Sequence, residues 1–296
     1  MTVITNFEAA KTIDLRKIPD RLEPQSILMC PPTYFEVKDI KNSFMQDNLG
    51  KVNIDLARRQ WEDLRDTFIK LGKQVFIIDA VPELEDMVFA ANQVLPYFSK
   101  TPYVLLSHMR HASRKKEVPY YQDWFKKRGY EILELDSSQD LLFEGQGDAI
   151  WHPAKQMLWG GYGHRTSLAA YQEIAAKLSV PVIALELHTS DFYHLDTCFC
   201  VLDPNTVLIY SEAFTKEGLK LIHHFFPRVM EVPAEDAYKT FACNALSLDY
   251  KYVVIQQGAE ATNEKLYHAG FEVIEVDTSE FIKSGGSVFC LKMMVY

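Results

Sequence analysis

One local pattern, repeated five times, constrains this chain more than any other: an amphipathic helix runs into a turn, and a short apolar strand follows at once. The segments are FIKLGKQVFIIDA from Phe68, FKKRGYEILELD from Phe125, AAKLSVPVIALEL from Ala175, HHFFPRVMEVP from His223 and LYHAGFEVIEVD from Leu266. Gly72, Gly129 and Gly270 follow three of the helices, where a left-handed residue costs least, and Ser-Val-Pro or Pro ends the other two. Ahead of the first join, Leu56, Gln60 or Trp61, Leu64, Phe68 and Leu71 recur at three-to-four spacing, an apolar stripe that must pack on a sheet. The strands begin near residues 74, 130, 181, 228 and 271, a spacing in the range of repeated architectures. Five such helix-plus-strand units in one α/β chain suggest a closed ring. An ordinary doubly wound sheet is the alternative, although the chain lacks the Gly-rich phosphate loop many such sheets carry.

With 296 residues, 48% of them hydrophobic, the chain has ample material for a core. Its 31 basic and 40 acidic residues give 31 − 40 = −9, and no basic run exceeds Arg114-Lys115-Lys116. Nucleic acid and anionic membranes both need a concentrated positive face, so neither is an expected partner. No apolar stretch approaches the roughly 18 to 20 residues of a membrane span, and Asn6, Glu8 and Asp14 fall where a signal peptide would be apolar. The expected location is cytoplasmic. Residues 1–24 read as an N-terminal arm outside the core and 25–296 as one catalytic domain. Cys30, Cys198, Cys200, Cys243 and Cys290 are scattered and form no C-x-x-C pair, which supports neither a disulfide framework nor a metal site.

Between the joins lie runs that read as strands yet carry polar or reactive groups: DMVFAAN (Asp86 to Asn92), LLFEGQGDAIW (Leu141 to Trp151), FYHLDTCFCVL (Phe192 to Leu202) and GGSVFCLKMMV (Gly285 to Val295). Such breaks in pattern are where sites tend to be. Cys290 follows Gly285-Gly286-Ser287, whose glycines let backbone approach a ligand. His194 and Asp196 alternate with Leu195, so a strand would place both on one face. Glu144 and Asp148 in FEGQGD add two carboxylates. Any one of these alone reads more often as a satisfied core group or a turn. Together they supply a nucleophile, a base and carboxylates able to grip a planar cation. A thiol reacts as thiolate, so such a site is expected to lower the Cys290 pKa, helped by a neighbouring guanidinium. Arg110 in SHMRH and Arg165 in GYGHRTS read as surface charges or as bidentate partners for a substrate carboxylate.

FEGQGD, YHLDTCF and the C-terminal GG-x-x-x-C-L resemble the guanidino-group-modifying, or pentein, enzymes, which include arginine deiminase and dimethylarginine dimethylaminohydrolase. The likeness runs from about Leu28 to the C-terminus, and the fold it implies is a propeller of five ββαβ-type units, in agreement with the five joins. Its arginine dihydrolase branch is most similar in LMCPPTYFEV with Asn42 beyond it, in DMVFAAN, in LWGGYGHRTS, and in YHLDTCFC followed by FACNA. The resemblance implies Cys290 as nucleophile and His194 as general acid/base, with Glu144 and Asp196 near the pair. It implies that Asp86 and Asn92 hold the guanidino group, that Arg110 and Arg165 bind the substrate carboxylate, and that Asn42 lines the pocket. The deiminases have an aspartate where this chain has the neutral Asn92, and the dihydrolases usually read F-T-A-N-A where it reads Phe89-Ala90-Ala91-Asn92-Gln93.

The expected activity is therefore cysteine-dependent hydrolysis of arginine, without cofactor or metal, to ornithine, ammonia and carbon dioxide. Single hydrolysis by a deiminase or dimethylaminohydrolase, amidino transfer, and a non-catalytic arginine- or ornithine-binding protein are the alternatives. The expected partner is a small molecule, and homo-oligomerisation is compatible with the sequence.

Overall fold

The computed structural model describes residues 2–136 and 138–296. Strand β1 (Val3–Ile4) comes first, and five sheets follow. The first blade holds β2 (Ser26–Met29) and β3 (Gln74–Ile77). The second holds β4 (Val94–Phe98), β5 (Pro102–Leu106) and β6 (Glu131–Leu133). The third holds β7 (Ala149–Trp151), β8 (Leu158–Tyr162) and β9 (Val182–Glu186), and the fourth β10 (Phe199–Asp203), β11 (Thr206–Ile209) and β12 (Arg228–Glu231). The fifth holds β13 (Leu246–Leu248), β14 (Tyr252–Gln256) and β15 (Glu272–Val276). β16 (Met293–Val295) returns to pair antiparallel with β2, completing the first blade.

In every blade the first strand runs antiparallel to the second, and a helix then carries the chain to a third strand parallel to the second. A parallel neighbour needs such a crossover, which is why the helix-to-strand join recurs once per blade. The helix Ile54–Lys70 turns Ala57, Gln60, Trp61, Leu64 and Phe68 inward, close to the expected stripe. The joins end as anticipated, with Gly72, Gly129 and Gly270 at φ of 81°, 80° and 93° and Ser179 doing the same work at 57°.

Apolar packing links each blade to the next. Leu28 and Met293 pack with Val94 and Val104, Leu95 and Leu105 with Ala149 and Leu158, and Ile183 and Leu185 with Val207, Leu208, Val253 and Ile255. Leu246 and Val254 then pack with Ile27 and Trp61, back on the first blade. This closes the ring and settles the choice against an open doubly wound sheet.

Two expectations need correction. The N-terminal segment does not stand outside the core: β1 adds to β9 in parallel, and Ile4 and Ala10 are buried against the third and fourth blades. The four reactive runs are not continuous strands either. Glu85–Val88 and Leu195–Thr197 are 3₁₀ turns, Gly145–Asp148 is one helical turn, and residues 288–291 form a turn. Each leads into the first strand of a blade, and alternation of polar and apolar residues across a tight buried turn imitates a half-buried strand. No helix among the described residues is long and apolar enough to cross a membrane.

Candidate active site

The turns entering the first strands meet at one place. Asn92 precedes β4, Asp148 precedes β7, Asp196 precedes β10, Asn244 precedes β13 and Cys290 precedes β16. Backbone bonds lock the turns to one another, including Ala91 N–H to Cys290 O at 3.2 Å and Gln146 N–H to Ala91 O at 2.8 Å. Gly147 makes the closest approach feasible, since a Cβ there would lie 2.3 Å from Asn92 Nδ2 and 3.5 Å from the His194 ring. Gly285, at φ 82°, brings backbone against Tyr193 and Asn42, where a Cβ would fall 2.7 Å from the tyrosine hydroxyl.

A cavity of about 330 Å³ is walled by Lys41, Asn42, Asp86, Asn92, Arg114, Arg165, Tyr193, His194 and Cys290. A larger one of about 710 Å³ lies elsewhere, between Trp151, Leu202, Leu246 and Phe289, and contains none of the predicted site residues.

The thiol of Cys290 is buried and donates to Asp196 Oδ2 at 3.2 Å. Asn244 holds it from the other side: its Nδ2 donates to Sγ at 3.3 Å and to Asp196 O at 2.9 Å, while its Oδ1 accepts from the backbones of Ser287 and Cys290. Burial and the Asp196 carboxylate push the thiol well above its usual value, only partly offset by Asn244. The expected depression is therefore absent without a cation in the cavity. Burial also raises Asp196, to about 7.

His194 lies against Glu144, with Nε2 2.7 Å from Glu144 Oε2. Burial lowers the imidazole to about 4, so the ring is neutral at pH 7; with Nε2–H donating to the carboxylate, Nδ1 is its free acceptor. Burial alone would raise Glu144, but the His194 hydrogen bond and the Arg165 guanidinium hold it well below the carboxylate range. Arg165 donates to Glu144 Oε2 at 3.2 Å and to Lys41 O at 3.0 Å, and lies over the Tyr193 ring at 4.6 Å.

Among the described residues Asp86 accepts no hydrogen bond on either oxygen, and it is met by Lys41, whose Nζ is 3.0 Å from Oδ2. Burial opposes the Lys41 charge, but Asp86 and Asp39 outweigh it and raise its pKa. A guanidinium reaching Asp86 must share it with this ammonium or displace it. Asn92 is oriented by Arg114, whose Nη1 donates to Oδ1 at 2.9 Å. Because arginine can only donate, the amide's sense is fixed, and Nδ2 is a buried donor with no partner among the described residues. Arg114 is held in turn by Glu117, which also accepts from Gln93 Nε2. Asn42 lines the cavity with its amide committed to Ser284, Tyr193, Phe44 and Met45.

Four predicted residues stay out of the cavity wall: Glu144 and Asp196, which stand behind His194 and Cys290 as their hydrogen-bond partners, and Arg110 and Asp148. Arg110 is exposed, donates through Nη1 to His164 O, and reaches the site only by its backbone N–H to Glu144 Oε1. Asp148 lies behind His194, accepting from Leu195 N–H and Thr166 Oγ1, with burial raising its pKa well above the usual range. Sequence reasoning in turn missed Arg114, which reads as part of a surface basic run, and Asn244, which appears only as a letter in FACNA. Among the described residues no three His, Cys, Asp or Glu side chains are grouped to hold a metal ion.

Comparison with known proteins gives the same placement. A family model of N,N dimethylarginine dimethylhydrolase, eukaryotic, matches residues 31–296. The chain is 37% identical over 91% of its length to the bifunctional arginine dihydrolase/ornithine cyclodeaminase ArgZ of Synechocystis sp., but spans only 37% of that protein. It is 35% identical to the N(G),N(G)-dimethylarginine dimethylaminohydrolase of Mycobacterium tuberculosis, covering 94% of this chain and 89% of the relative. The substrate-bound crystal structure of the N-terminal domain of ArgZ superposes with a TM-score of 0.85, at 37% identity, over 91% of this chain and 97% of that one. The fold is therefore the five-bladed pentein propeller, and the chain belongs to the dimethylarginine dimethylaminohydrolase family of the guanidino-group-modifying superfamily.

Proposed function

We propose that the chain is an arginine dihydrolase, converting arginine and two waters to ornithine, two molecules of ammonia and carbon dioxide. Cys290 is the nucleophile. Its thiol loses its proton when the substrate's guanidinium enters beside it, and the thiolate adds to the guanidino carbon. Neutral His194, with Nδ1 free, takes up a proton and delivers it to the departing ammonia, while Glu144 stabilises the imidazolium that forms between these events. A water deprotonated by His194 then attacks the thiouronium, restoring the thiol and leaving a ureido group. A second round expels the second ammonia and leaves a carbamoyl thioester, whose hydrolysis ends in carbon dioxide and ornithine. Asp86 faces the cationic end of the substrate, and Arg165 is assigned its carboxylate.

The observation that carries two hydrolyses over one is the Asn92 amide. Its oxygen is occupied by Arg114, so the cavity is offered an N–H donor, the group a neutral ureido oxygen requires. ArgZ, the relative named for arginine dihydrolase activity, supports the same reading. Purified protein given arginine, citrulline, dimethylarginine and agmatine, with products identified by mass spectrometry, tests it. Ornithine and ammonia from arginine are expected. Citrulline alone, or dimethylamine from dimethylarginine in preference to arginine turnover, would replace this reading with single hydrolysis.

Asn92→Asp removes the donor and sets a carboxylate against Arg114. Arginine should still be consumed, with the early citrulline-to-ornithine ratio rising at least tenfold, about 1.4 kcal/mol of lost retention. An unchanged ratio would end the role given to Asn92. Arg165→Lys keeps the charge but loses the planar fork, so KM for arginine should rise about tenfold more than KM for agmatine, which has no carboxylate. Since Glu144 also depends on Arg165, both substrates should lose some kcat; equal KM changes would make Arg165 a support for Glu144 only.

A further inference from the structure

Lys292 is a charge with no evident use. Its side chain is fully buried, and Nζ has no hydrogen-bond partner among the described residues. It lies 3.1 Å from the centre of the Phe289 ring, a cation–π contact that favours the ammonium but cannot by itself repay the loss of water. A buried lysine with nothing to do is expensive, and a methionine or leucine would fill the same apolar run.

Nζ makes no ion pair among the described residues either, and the charges that act on it without contact belong to the thiol cluster. Lys292 is two residues beyond Cys290, in the segment joining the thiol turn to β16. Asp196, whose Oδ2 receives the Cys290 thiol at 3.2 Å, has its other oxygen buried and likewise unpartnered. Burial drives the Lys292 amine down to about 7, with Asp196, Cys290 and Cys200 opposing that drop, and among the groups that lower Asp196 the Lys292 charge follows only the Cys290 hydrogen bond. The other ionisable groups coupled to this cluster are Tyr193, Asp148, Cys198 and Arg114.

The Asp196–Cys290 pair carries one negative charge in two arrangements. In one the proton is on sulfur and the carboxylate is charged. In the other the S–H bond has broken, an O–H bond has formed on Asp196, and sulfur is the thiolate. We propose that Lys292 is a positioning residue for the thiol chemistry, its buried ammonium being the countercharge that keeps this single negative charge on the Asp196–Cys290 pair. Without it the pair takes up a second proton, and neither partner is available as a base or a nucleophile.

This rests on Cys290 being the reacting thiol but not on which guanidine is hydrolysed, so the test reads the thiol directly. In Lys292→Met, alkylation of Cys290 by iodoacetamide, followed by peptide mass spectrometry, should slow at least tenfold at pH 7 and recover at higher pH. For arginine kcat should fall at least tenfold with KM within threefold, and Lys292→Arg should restore part of the alkylation rate. A pH profile of alkylation identical to wild type would overturn the proposal even if turnover were impaired. Should the methionine variant not fold, the wild type and Asp196→Asn can be compared with ¹³Cε-labelled lysine. The Lys292 resonance should titrate at least one pH unit lower in Asp196→Asn, and an unchanged titration would overturn the countercharge. Absence of ammonia from arginine in the wild type, with both thiol and lysine readouts as expected, would remove the dihydrolase reading and leave this one standing.

Discussion

Cys290→Ala should reduce ammonia release from arginine to background, a loss of at least about four orders of magnitude, because the proposed covalent adduct forms on its sulfur. The fold should survive. The deleted sulfur sits between Asp196 and Asn244, and the Asn244 Oδ1 bonds to the Ser287 and Cys290 backbones do not depend on the side chain. An unchanged circular dichroism spectrum together with retained arginine binding is the control. The thiol's raised pKa adds a sharper signature. A neutral haloacetamide should label Cys290 slowly at pH 7, and its amidinium analogue at least tenfold faster, because the cation substitutes for the substrate's guanidinium in stabilising the thiolate. Burial pushes the thiols of Cys30, Cys198, Cys200 and Cys243 up as well, and none of them faces the cavity, so labelling of any of these ahead of Cys290 would sink the assignment.

His194→Ala should cost about 10²- to 10⁴-fold in kcat, the usual range for a positioned acid/base group, with a smaller change in KM. The substitution removes more than a proton carrier. Glu144 is fully buried and keeps its charge through His194 and Arg165; with the imidazole gone, Arg165 and the Arg110 backbone N–H remain as its direct partners among the described residues, and the carboxyl pKa should climb. His194→Asn, which can still donate one hydrogen bond to Glu144, separates the two effects. If the asparagine variant recovers structure and arginine binding but not turnover, the proton role stands; if it recovers turnover, the histidine is only a support for Glu144. A single turnover followed by acid quench should also show less covalent adduct in either variant, since expulsion of the first ammonia requires the proton that His194 supplies.

The blade count was legible because a helix that must return to a sheet leaves a local trace, and the glycines of Gly72, Gly129 and Gly270 mark where it turns. Cys290, His194 and Glu144 stood out as polar groups in apolar surroundings. Their geometry did not, because alternation around His194 and Asp196 fits a strand as well as the 3₁₀ turn that actually holds them. Arg114 and Asn244 escaped for a different reason: each earns its place through a neighbour far along the chain, Asn92 for one and Cys290 for the other. A positional signal for Asn244 did exist. It stands two residues before β13 just as Asn92 stands two before β4, so aligning the repeats against one another, rather than reading each alone, would have found it.

The pairing of β16 with β2 has a consequence for how the site comes into being. Four of the five turns that meet at the cavity are laid down before the chain reaches Gly285, but Cys290 arrives with β16, whose partner β2 lies near the start of the described chain. A growing or partly folded chain thus holds no assembled cavity, which is completed only when the ring closes. By the same logic the order of the blades along the polypeptide is immaterial to the chemistry.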